Sequence, residues 1–166
     1  MNKKLLTLLG LMLGLGVAFG ALVTVISNVI TYSFQSKVPF ELVITSPYKC
    51  AGKTECNLIE TVYGGNTVEL GFSVKNHANN DLVGTYKIEI IPTNQTLDCN
   101  EISSVKLIEP EKEQDIKDTC VKTDGSVYFN TSETIAKEST VEKTLKITFN
   151  KALHEDNYTI AISILP

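Results

Sequence analysis

From residue 40 onward, apolar and polar side chains alternate one for one. Val68, Leu70, Phe72 and Val74 alternate with Glu69, Gly71, Ser73 and Lys75. Successive side chains of a strand point to opposite faces, so this period buries one face of a sheet and wets the other. A helix with the same pattern would scatter its apolar groups around its circumference. The alternation returns in Phe40, Leu42 and Ile44, in Tyr86, Ile88 and Ile90, and in Tyr158, Ile160, Ile162 and Ile164. Val141, Leu145, Ile147 and Phe149 face one way, with Lys143, Thr144, Lys146 and Thr148 between or opposite. Leu58 to Val62, Val105 to Ile108, and Val127 with Phe129 are shorter candidates. Turn-forming residues separate these runs: Pro47, Gly64-Gly65-Asn66, Asn76 to Asp81, Pro92 with Asn94, and Lys151 to Asn157. Roughly seven to nine strands, with no helical pattern after residue 35, predict one all-β domain over residues 36–166. Its expected form is an immunoglobulin-like or jelly-roll β-sandwich.

Ahead of this domain, Leu5 to Ser36 carry no charge and directly follow Lys3 and Lys4. A basic start and an apolar core of about 7–15 residues make an export signal. Ala18 and Gly20 suit a cut after Gly20. A spanning helix needs about 20 apolar residues, which Leu5 to Ile30 also supplies. The run is therefore a signal peptide or a membrane anchor, and in either case the domain lies outside the cytoplasm. Its two halves differ. Residues 1–20 are Leu- and Gly-rich, the signal or the start of the anchor, whereas residues 21–35 are β-branched and aromatic. Late in this arm Ile30, Tyr32 and Phe34 alternate with Thr31, Ser33 and Gln35, which predicts a strand.

Composition excludes several functions. With Lys3 and Lys4 set aside from 15 basic residues, 13 face 19 acidic ones, a net charge of −6, and the chain has no arginine. A nucleic-acid partner is not expected, because the sign is wrong and the bidentate phosphate reader is missing. Cys50, Cys56, Cys99 and Cys120 follow an export signal and are an even number, so they read as two disulfides. Four cysteines allow three connectivities. Cys50–Cys56 and Cys99–Cys120 are favoured because each closes a local loop. Their spacings lack the paired C-x2-C knuckles of a structural zinc site.

Catalytic motifs are missing. His77 and His154 sit in turn-like stretches without H-E-x-x-H, and no G-x-S-x-G nucleophile context occurs. The run Glu109, Glu111, Glu113, Asp115 and Asp118 lacks calcium-loop spacing and is interrupted by Lys112 and Lys117, so it reads as a solvated loop. No cofactor or metal is expected. Asn94, Asn130 and Asn157 head N-x-S/T sequons at turns or strand ends and are the candidate glycosylation sites.

One resemblance goes further. It is carried by the basic leader, the Gly-rich apolar segment and the β-branched arm. The stretch Gly65 to Asn76 and the closing Leu-Lys-Ile-Thr-Phe-Asn-Lys-Ala-Leu with Asn-Tyr-Thr-Ile-Ala-Ile complete it. Together they resemble secreted β-sandwich subunits of the TasA/camelysin type and the similar archaeal bundling pilins. The resemblance implies a non-enzymatic filament subunit on the cell surface, self-associating by donor-strand complementation. The arm would supply the donor strand, with Ile26, Ile30, Tyr32 and Phe34 as its assembly residues. Strand addition satisfies an open sheet edge and buries alternate side chains in the partner. The metallopeptidase label given to some camelysin-like proteins does not carry over, because the chain offers no ligand set. The alternative is a membrane-anchored ectodomain for adhesion, or an accessory subunit of a membrane complex, held in the bilayer through Leu5 to Ile30.

Overall fold

The computed structural model describes residues 30–36, 39–53, 55–58, 64–150 and 156–166. Most of the leader run, Ile26 and His154 lie outside the described residues. No described helix is long and apolar enough to cross a membrane.

The alternating segments form the strands they predict. β1 is Ile30–Ser36, β2 Phe40–Ser46, β3 Glu55–Leu58 and β4 Thr67–Asn76. β5 is Leu82–Pro92, β6 Ile102–Glu109, β7 Lys112–Asp115 and β8 Val121–Lys122. β9 is Val127–Ile135, β10 Thr140–Phe149 and β11 Tyr158–Leu165. Among the described residues the other regular elements are three single turns of 3-10 helix, at Tyr48–Cys50, Cys99–Glu101 and Lys117–Thr119. One sequence expectation shifts and another is reached only in part. The strand expected at Leu58 to Val62 lies, beyond Leu58, outside the described residues, and the strand described there is Glu55–Leu58. The acidic stretch expected to be a solvated loop contains β7, which hairpins onto β6.

The strands make two sheets. One has the order β3-β1-β11-β5-β9-β8, the other β2-β4-β10-β6-β7. Together they form the β-sandwich. Alternation decides which side chains enter its core. In β11 Tyr158, Ile160, Ile162 and Ile164 are buried, and Thr159, Ala161 and Ser163 remain half-buried on the outer face. Phe72 of one sheet meets Tyr86 of the other edge-on, with centroids 6.2 Å apart. Such pairs add about 0.5–1.5 kcal/mol beyond the area they bury.

The polar side chain of Asn76 sits inside the fold. Asn76, at the end of β4, is 0 % exposed. Its Nδ2 donates to the carbonyls of Ile135 and Asn80, each at 3.0 Å, and its Oδ1 accepts from Ala78 N at 2.8 Å. A buried amide is tolerable only when so satisfied. These bonds close the turn after β4 and tie it to the end of β9 in the opposite sheet.

Candidate functional site: a strand slot and a buried ion cluster

β1 fills a slot in its sheet. It runs parallel to β11, in register from Ile30 with Tyr158 to Ser36 with Ile164. On its other side it runs antiparallel to β3, from Ile30 with Leu58 to Ser33 with Glu55. Tyr32 is 0 % exposed, level with Ile160 and Cys56, and Phe34 pairs in register with Ile162. Three of the four expected assembly residues, Ile30, Tyr32 and Phe34, therefore lie on the strand that occupies this slot. The chain carries that strand in its own sheet.

The connectivity of the slot matters. Parallel strands cannot be joined by a tight hairpin. β1 precedes β2, which lies in the other sheet, so neither of its two neighbours is joined to it by a turn. The outer wall, β3, has only four residues. A disulfide anchors it: Cys56 on β3 bonds Cys50 at the end of the turn after β2, with a Cα–Cα distance of 5.4 Å. This short strand is thereby tied to the opposite sheet. Cys99 and Cys120 form the second disulfide, with a Cα–Cα distance of 6.0 Å. Both pairings are those favoured from the local loops.

A second site lies inside the sandwich. Lys143 shares the inward parity of Leu145, Ile147 and Phe149 and is 4 % exposed. It lies between Val141 and Leu145 on the same face. Its Nζ lies 2.5 Å from Glu109 Oε1 and 2.7 Å from Glu133 Oε2. Glu109 ends β6 in the same sheet, and Glu133 stands on β9 of the opposite sheet. Tyr86, 1 % exposed on β5, donates its hydroxyl proton to Glu133 Oε1, and Lys143 Nζ lies 5.4 Å from the centroid of its ring. Glu109, expected in a solvated loop, thus turns inward. The hydrogen bond from Lys143 holds its carboxyl below the usual range, and burial only partly opposes this. Burial, followed by the hydrogen bond to Glu133, pushes the Tyr86 phenol far above its ordinary value.

Other residues marked by the sequence take no part in the ion cluster. His77 is exposed and lies 2.7 Å from Glu41. Asn130 is exposed on β9. Asn94 and Asn157 lie together around Asp156, which no sequence motif marks. Asp156 accepts from Asn94 N at 2.9 Å, Asn94 Nδ2 at 2.9 Å, Gln95 N at 3.0 Å and Asn157 N at 2.7 Å. Burial alone would raise its pKa, but these donors outweigh burial and hold it below the usual range.

No family model and no curated protein matches the chain. Among solved structures it is similar to AvmM, which catalyses macrocyclisation in alchivemycin A biosynthesis, at 10 % identity and a TM-score of 0.49. That match covers 72 % of this chain and 69 % of the other. A family 123 glycoside hydrolase from Clostridium perfringens matches at 8 % identity and a TM-score of 0.34. It covers 63 % of this chain and 22 % of the hydrolase. Likenesses this distant assign no residue of the present chain a role.

Proposed function

We propose that the protein is a non-enzymatic extracellular structural subunit that polymerises by passing β1 into the slot of the next copy. The observation that carries this reading is the placement of β1. It is held between β11 and β3 with a turn to neither. Exchange of an identical element between copies keeps every contact and costs little beyond association. An open arrangement, in which each copy gives its strand to the next, does not close on itself and grows as a fibre. The apolar, β-branched character of residues 21–35 supports the same reading, since such a segment left in water invites aggregation.

The register supplies the test. Ser33 of β1 lies opposite Ala161 of β11. A chain carrying Ser33→Cys and Ala161→Cys, oxidised after assembly and run without reductant in denaturing gels, should give a ladder of covalent multimers. Bands at monomer size alone, from a preparation that forms fibres, would show that the strand stays at home. Removal of residues 21–34 should yield a soluble monomer, and fibres from that shortened chain would sink the proposal.

A further inference from the structure

The ion cluster inside the sandwich has no part in strand exchange. We infer that Lys143 and Glu133 condense spontaneously to an amide that covalently joins the two sheets, with Glu109 as proton carrier. Lys143 is almost fully enclosed, its side chain 2 % exposed, and both carboxylates touch its Nζ. Nζ first passes one proton to Glu133 Oε2 along their 2.7 Å contact, which sets an amine against a carboxylic acid. The 2.7 Å contact between Nζ and Glu133 Oε2 holds the nitrogen against the carboxyl group that it attacks.

Each neighbour has a place in the reaction. Nζ forms a bond to Cδ of Glu133, and the bond from Cδ to Oε2 breaks. Glu109, 2.5 Å from Nζ, takes the second proton that the attacking nitrogen sheds and returns it to the departing oxygen, which already carries the first and leaves as water. The Tyr86 hydroxyl already donates to Oε1, the oxygen on which negative charge develops. The ammonium and carboxylate become amide and water, with no oxidant and no co-reactant. The assignment of roles follows from the hydrogen bonds. Glu133 holds the polarising donor, whereas Glu109, held ionised by Lys143 and 28 % exposed, is suited to carry a proton and a residual charge. Lys112 is the other cation acting on Glu109. Condensation removes one buried ion pair, which is often a net cost to a fold. It also converts a sheet-to-sheet contact into a bond that survives unfolding.

Digestion of the unfolded, reduced full-length protein with trypsin, followed by mass spectrometry, tests this. Cleavage after Lys122, Lys137 and Lys146, but not at the blocked Lys143, should leave segments 123–137 and 138–146 joined through Glu133 and Lys143 and lighter by one water. Glu109→Gln should slow or abolish the link, and Lys143→Met should remove it. Separate segments with normal cleavage after Lys143 in the unmutated protein would overturn the inference, because the cluster would then be an ion triad and no more. A link from Lys143 to Glu109 instead would overturn the assignment of acceptor and carrier.

Discussion

Asp156→Ala should open the end of the sheet at which β5 and β11 meet. Asp156 is 6 % exposed and stands just before β11, and the donors its carboxylate collects at Asn94 and Gln95 lie just after β5. A hydrogen bond to a charged acceptor contributes about 1.5–3 kcal/mol. Asn94 and Gln95 are exposed, so their N–H groups recover water in part when the carboxylate goes. Counting those two backbone bonds at the lower bound, and nothing for Asn94 Nδ2 or Asn157 N, gives a loss of about 3 kcal/mol. For a domain of this size that lowers Tm by about 10 °C. Asp156→Asn keeps the shape and one acceptor oxygen and should lose about half as much. The sign with pH is determined. The carboxyl is depressed in the folded state, so its stabilisation is present above the unfolded value of about 3.9 and disappears as pH falls through the folded value. Urea titrations of the original protein and the Asn variant should therefore differ at pH 7 and converge at pH well below 4. An Ala variant within about 0.5 kcal/mol of the original at pH 7, or a gap between original and Asn variant that persists in acid, would refute the reasoning.

Other outcomes follow from single contacts. Replacing Cys99 and Cys120 by Ser should lower stability by about 3 kcal/mol, since the bridge spans 21 residues of sequence, with an unfolding midpoint in urea as the measure. Gly71→Ala should destabilise by about 1–3 kcal/mol, because the added carbon would stand 2.8 Å from Ser46 Cβ and 2.9 Å from Thr45 Oγ1 and force β2 outward. Calorimetry showing no loss would mean that β2 yields freely there. In a host that glycosylates sequons, peptide mass spectrometry should find Asn130 more fully occupied than Asn94, whose Nδ2 is engaged by Asp156. The reverse order would contradict this.

Much of the sandwich was legible because its cause is local. The Val68 to Lys75 alternation became β4 and the Tyr158 to Ile164 alternation became β11, each with the expected face buried. Short strands were missed for the same reason. β7 is Lys-Glu-Gln-Asp and carries no apolar signal, so its pairing with β6 decides its conformation. The ion cluster was half legible. Lys143 shares parity with Leu145, Glu133 with Phe129 and Ile135, and Glu109 with Val105 and Leu107. Charge spoke for the surface and parity for the interior, and a buried charge is stable only with a partner that sequence spacing does not reveal.

By itself, then, the sequence determined an all-β chain and which face of each long strand turns inward. Its cysteine spacing favoured two local disulfides, and its arm carried strand character. These are consequences of side-chain alternation and short loops, which act over a few residues. Only the tertiary structure decided that β1 lies parallel to β11 against a disulfide-held β3, and that Lys143 meets carboxylates 34 and 10 residues away. Strand order and sheet pairing arise from burying many faces at once, and no local pattern encodes which distant faces will meet.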